Sequence, residues 1–250
     1  MKDVLLSIIG FMAGFRPQFV FLENEDGLLT ARALDPSQSI FMQLYMEEWE
    51  NIGDNKVILG NLPYLQRLLK LPAFNDDGQI KLIKDVNYKG KEVFTKIEFT
   101  SPKVQVEYLL TDESIANVRV PSTFKFEEKA SAIISQEKAS EFRQVAMLHR
   151  QAVDKAEKSI VYPTYTDDSL LFEFPSTDTN IVVEVSDQIE GRFTEQVAYS
   201  ADRVKQIMAL FDQYDGGTLS ISDNAIKAEI VHGEHLCQIC LPKNVRRNSL

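Results

Sequence analysis

One alternation of apolar and polar positions occurs twice along the chain. Residues 57–83 read VILGNLPYLQRLLKLPAFNDDGQIKLI, and residues 197–221 read VAYSADRVKQIMALFDQYDGGTLSI. In each, a short apolar strand leads to a small polar residue, Asn61 or Ser200, placed to cap an amphipathic helix of about three turns. Each stretch then passes an acidic-Gly pair, Asp77-Gly78 or Asp215-Gly216, into a second alternating strand. The copies lie about half a chain apart. They predict two versions of one α+β unit rather than an enzyme built around a single cleft.

The remaining periodicity fits that plan. Val4, Leu5, Ile8, Ile9 and Met12 give residues 3–13 one apolar helical face, which Pro17 ends. FVFLENEDGLLTARAL reads as a strand–Asp-Gly–strand hairpin, and SIFMQLYM as a third strand after the turn Asp35-Pro36-Ser37. The first repeat helix spans 62–71, with Pro63 tolerated in its first turn. Strands at 79–85, 91–100 and 102–110 are separated by Tyr88-Lys89-Gly90 and Ser101-Pro102. Residues 111–123, TDESIANVRVPST, lose all periodicity, so they are expected to link a domain at 1–110 to a domain at 124–250. The second half opens on the strand TFKFEEKASAI. A helix follows over 136–152, capped by Ser135, with Phe142, Val145, Ala146 and Leu148 on its apolar face. Strands at 158–165, 169–174, 180–186 and 191–199 precede the second repeat helix. Strands at 218–222, 225–231 and 235–241 come after it, and NVRRNSL reads as a free end.

Composition narrows the class. With 44% apolar and 26% charged residues the chain reads as an ordinary globular protein. No apolar run reaches membrane-spanning length, and VLLSIIGFMAGF reads as a first amphipathic helix rather than a signal segment. Two cysteines make no disulfide framework, so a reducing cytoplasm is the expected compartment.

His232, His235, Cys237 and Cys240 form H-x-x-H-x-C-x-x-C, a pattern of zinc and redox sites. A metal-dependent enzyme built on it is the alternative from another class. The spacing opposes it: HLCQICLP alternates like a strand, and residues three apart on a strand point to opposite faces. His149 reads as part of a solvated helix face. Phosphate-binding glycine loops and G-x-S-x-G are absent, and the carboxylates fall in surface-like runs such as Glu23, Glu25 and Asp26. On balance the residues predict no catalysis, no cofactor and no bound metal.

Charge is more informative. The segments 2–16, 61–71, 136–155 and 200–212 hold ten basic residues against six acidic ones, in a chain whose net charge is −10. A mildly basic helical layer on a strongly acidic remainder suits a protein that meets phosphate on one face and repels it elsewhere. Helix propensity alone would also gather lysine and arginine there.

Four segments carry a family resemblance. LLTARALDPSQSIFMQL (28–44), VILGNLPYLQRLLKL, SQEKASEFRQVAMLHRQA and GEHLCQICLPK are similar to segments of DNA sliding clamps. The likeness is closest to T-even-type bacteriophage clamps and more distant to proliferating cell nuclear antigen. It covers nearly the whole chain in element order. It departs in lacking the family's first strand before helix 3–13 and in a longer insert around 151–168.

The resemblance implies an α+β DNA clamp fold: two similar domains, each with two helices packed on antiparallel sheets, closing head to tail as a homotrimeric ring. It implies a non-enzymatic processivity factor that encircles double-stranded DNA without reading sequence. Such a factor tethers a DNA polymerase and is placed on DNA by an ATP-dependent clamp loader, with no membrane role. A scaffold for transcription or repair would use the same fold. The implied DNA-facing residues are Arg16, Arg67, Lys70, Lys138, Arg143, Arg150, Arg203 and Lys205. The implied partner-peptide pocket is lined by Leu34, Gln38, Phe41, Val118, Val120, Leu241 and Pro242. Ring closure is expected through edge strands near 102–110 and 169–185.

Overall fold

A computed structural model describes residues 1–25, 27–47, 52–74, 78–86, 90–152, 159–176, 180–194 and 197–243. The expected turns at Asp26 and at Tyr88-Lys89 lie outside the described residues, as do Asp77, Lys155 and the segment 244–250. The chain divides into two compact units, Met1–Ser122 and Thr123–Leu250.

In unit 1, α1 (Lys2–Met12) is followed by β1 (Phe19–Glu25), β2 (Leu28–Leu34), β3 (Phe41–Glu47) and β4 (Val57–Gly60). Next come α2 (Leu62–Leu69), β5 (Gln79–Val86), β6 (Glu92–Thr100) and β7 (Gln105–Leu109). The antiparallel order is β4-β1-β2-β3 in one sheet and β5-β6-β7 in the other. The helix–strand pattern holds because each apolar stripe is buried: Leu5, Ile8, Ile9 and Met12 of α1, and Leu62, Leu65, Leu68 and Leu69 of α2. The turn before β3 is tied by the Asp35 carboxylate, which is buried and accepts the backbone N–H groups of Ser39 at 2.6 Å and Ile40 at 2.7 Å.

In unit 2, β8 (Ala130–Ile134) leads into α3 (Gln136–Ala152). Then follow β9 (Ile160–Thr166), β10 (Ser169–Pro175), β11 (Asn180–Ser186), β12 (Ile189–Gly191) and β13 (Tyr199–Ser200). The chain continues through α4 (Ala201–Gln213), β14 (Gly217–Ile221), β15 (Ala225–His232) and β16 (His235–Pro242). Within this unit the strands order as β12-β8-β14-β15-β16 and β11-β10-β9-β13. Phe142 of α3 lies against Phe172 and Phe174, with ring centroids 5.3 and 5.2 Å away.

Several expectations are corrected. The strand expected over 123–133 is β-structured only from Ala130, because Ala130 is the first residue paired with both β14 and β12. The segment 191–199 is not one strand. Gly191 has φ +78, and a Cβ there would sit 2.2 Å from the Lys129 carbonyl, so the chain turns away after β12, and among the described residues the next strand pairing is at Tyr199. Asn61 and Ser200 occupy the N-cap positions, but neither side chain makes a capping hydrogen bond, and Asn61 is left-handed at φ 45. Ser135 does cap: its Oγ accepts the Lys138 N–H at 3.2 Å.

The apolar face of α3 is also shifted. Its buried positions are Ala139, Phe142, Ala146 and His149, while Leu148 is 61% exposed. Helical spacing from 142 and 146 runs to 149, so His149 takes the core position that the sequence pattern assigned to Leu148. His149 is not on a solvated face. It is 1% exposed, its Nε2–H donates to the Pro175 carbonyl at 3.1 Å, and Nδ1 lies 3.1 Å from the Ser159 hydroxyl.

Candidate functional site

The basic residues of the helices fall into two groups. In unit 1, Arg16, Arg67 and Lys70 are exposed, and among the described residues no carboxylate lies within ion-pair distance of them. Arg16 is left-handed at φ 53, at the end of the 3-10 turn that closes α1. Arg67 and Lys70 extend from the last turn of α2, where cations also complement the helix dipole.

In unit 2 the bases are occupied. Lys138 Nζ lies 3.2 Å from Glu184 and 3.5 Å from Glu141, and the Glu184 hydrogen bond holds its ammonium above the usual lysine range. Arg143 pairs with Asp212 across the α3–α4 contact. Arg203 donates to Gln206 at 3.1 Å, Lys205 pairs with Asp202 at 3.3 Å, and Arg150 is half-buried. Half-exposed pairs of this kind are worth about 0–1 kcal/mol each, so a phosphate could displace the acids cheaply. Until that happens, those acids cancel most of the local field.

Of the residues expected to line a peptide pocket, two meet in a cleft within unit 1. Within unit 1 the segment from Ala116 to Ser122 lies over the outer face of β1 and β2, leaving a cleft of about 520 Å³. Val118 and Val120 line it together with Phe21, Glu23, Arg32 and Lys56. Leu34, Gln38 and Phe41 do not. Leu34 and the exposed, left-handed Gln38 belong to the Asp35 turn, and Phe41 is 5% exposed. In unit 2, Leu241 is 3% exposed and its neighbour Pro242 is exposed.

The cleft floor is an ionic chain that sequence reading missed. Arg32, 3% exposed, bonds Glu23 at 3.0 Å and also Glu25. With its amide turned to accept, Gln43 takes the Arg32 Nε at 3.2 Å and the Tyr45 hydroxyl at 2.9 Å. Lys56 bridges Glu23 at 2.8 Å and Glu113 at 3.6 Å, and Glu23 raises the Lys56 ammonium above its ordinary range. The sequence signal was an arginine amid the small apolar residues of LLTARAL, because a buried arginine needs carboxylates opposite it.

The His/Cys cluster does not converge. Cys237 pairs across with Ile230 and Cys240 with Lys227, so the two thiols face opposite sides of β16. Burial pushes the Cys237 thiol well up and that of Cys240 to about 12. Both should therefore remain unreactive toward a disulfide reagent at neutral pH in the folded chain and react fully only in denaturant. A thiol titrating in the native protein at neutral pH would show that this strand opens readily. Among the described residues no group of three or more His, Cys, Asp or Glu could hold a metal, and no helix is long and apolar enough to cross a membrane.

No protein-family model and no curated protein matches the chain. Solved structures do. Proliferating cell nuclear antigen (PCNA) of Thermococcus kodakaraensis superposes with a TM-score of 0.72 at 14% identity, covering 98% of this chain and 97% of that one. The Entamoeba histolytica protein gives 0.68 at 14% identity over 98% and 94%. A. fulgidus PCNA, solved with the C-terminal region of FEN-1 bound, gives 0.66 at 15% identity over 99% and 96%. From end to end, this chain has the α+β fold of the PCNA sliding clamps.

Proposed function

We propose that the chain is a processivity clamp: a homotrimeric ring that encircles duplex DNA, holds a DNA polymerase to it and is opened by a clamp loader. The observation that carries the reading is the clamp fold over 98% of the chain. Two features support it. β7 and β11 are the outer strands of their sheets among the described residues, one in each unit. Head-to-tail pairing of such edges closes a ring when the rotation divides a full turn. Of the two expected edge regions the second narrows to β11, since β10 is paired on both sides. The open bases Arg16, Arg67 and Lys70 are assigned to phosphate, with the paired bases of α3 and α4 as a reserve. The closeness to T-even phage clamps, and with it a viral source, rests on the four sequence segments alone. The cleft under residues 116–122 is the proposed seat of a partner peptide, as A. fulgidus PCNA holds a piece of FEN-1.

The test is topological. Loaded by its cognate loader onto a nicked circle, the protein is expected to stay on the DNA through a salt wash and to leave when the circle is cut. Equal loss from circular and linear DNA would mean that it binds by charge and does not encircle.

A further inference from the structure

Unit 2 presents a face that the clamp reading leaves unused. On β8 the alternation sends Ala130, Ala132 and Ile134 into the core and leaves Ile133 on the opposite side, 74% exposed. Ile133 stands beside Thr218, and Thr218 beside Glu229. Two residues further along β15, Val231 is 70% exposed opposite Leu236. Gly216 and Gly217 put no side chain between Ile133 and Val231, and the surface dips there into a groove of about 700 Å³. Gly216 is required: its φ is +101, and a Cβ would meet the Ile134 carbonyl at 2.5 Å. A second groove, of about 490 Å³, shares Ile133 and Thr218 and runs on to Ile189.

The two grooves have one sign of charge. Asp168, Asp187, Glu190, Asp215 and Glu229 line them, and no lysine or arginine does. Arg192 lies 3.6 Å from Asp168 and Lys227 lies 3.0 Å from Glu229. Among the described residues the other three carboxylates have no cationic partner. Such a surface repels phosphate, so it is no part of a DNA path. Two apolar side chains this exposed, at the sides of an acidic groove, supply anchor points for a partner that carries both apolar and basic side chains.

We infer that this face docks a basic, extended segment of a partner protein. An apolar side chain of that segment settles beside Ile133, and its flanking Lys or Arg residues meet Asp187, Glu190 and Asp215. The apolar anchor supplies the affinity, and the carboxylates supply steering and orientation. The inference is independent of ring closure and of the cleft under residues 116–122.

The experiment is fluorescence anisotropy on the full chain, with a labelled peptide carrying one leucine and one valine among lysines and arginines. A second probe replaces the leucine and valine with serine. The apolar basic probe should bind at least about tenfold tighter than its serine counterpart. Ile133→Ser should remove that advantage. D187N with E190Q should weaken binding by at least about threefold and flatten its salt dependence. Val231→Ser serves as a second exposed variant if Ile133→Ser changes the fold. Equal binding of both probes, or binding indifferent to both serine variants, overturns the inference. So does self-association of the chain that Ile133→Ser abolishes, because the face would then be covered by a second copy. None of these outcomes bears on whether the protein is retained on circular DNA.

Discussion

Reversing Arg67 and Lys70 to glutamate is expected to shorten the products of the cognate polymerase by at least about tenfold while the chain stays folded. Both side chains are exposed at the C-terminal end of α2 and have no carboxylate partner among the described residues. Reversal therefore turns two attractive charges into two repulsive ones without breaking an ion pair, at the small cost of acids near the C-terminus of α2. The effect should grow as salt is lowered, because screening by salt weakens the added repulsion. Arg143→Glu is the instructive contrast. It places a carboxylate against Asp212, so part of its effect should appear as lost stability rather than lost processivity. Primer extension on a long template, read beside a urea titration of each variant, separates the two. Unchanged processivity in the Arg67/Lys70 double variant would show that α2 does not face DNA.

Phe142→Ala should cost unit 2 about 3–5 kcal/mol, a large part of the 5–15 kcal/mol typical of a folded domain. Phe142 is fully buried and meets two other rings, and a cavity between α3 and β10 has no obvious way to collapse. Leu148→Ala, six positions on in the same helix, should cost less than about 1 kcal/mol because the side chain stands in water. Urea midpoints of the two variants measure the difference. Similar losses at both positions would mean that Leu148 is a core residue and that the placement of α3 is wrong.

That pair of residues also shows what sequence could convey. The helix at 136–152, its Ser135 cap, the β1–β2 hairpin and the final β15–β16 hairpin were legible, because each rests on local periodicity or turn chemistry. The rotational setting of α3 was not. Leu148 and His149 are neighbours, hydrophobicity favours leucine for the core, and only the buried partners Ser159 and Pro175 make histidine the better occupant. The break at Gly191 and the late start of β8 were hidden for a similar reason. A strand exists where a partner strand reaches, and the partners here are distant in sequence.

For the candidate site, the basic residues were visible as residues. Their division into open and paired groups was not, since Glu184 and Asp212 reach Lys138 and Arg143 from other elements. Of the cleft over Arg32 only the arginine itself gave a signal, because Glu23, Lys56 and Glu113 meet only after folding.

The proposed ring is tested most directly by mass in solution. Light scattering at micromolar concentration, with and without DNA and loader, should report three chains per particle. A variant carrying Leu109→Asp on the β7 edge, where Leu109 is exposed, should fall to one chain. A strict monomer under every condition would contradict the clamp.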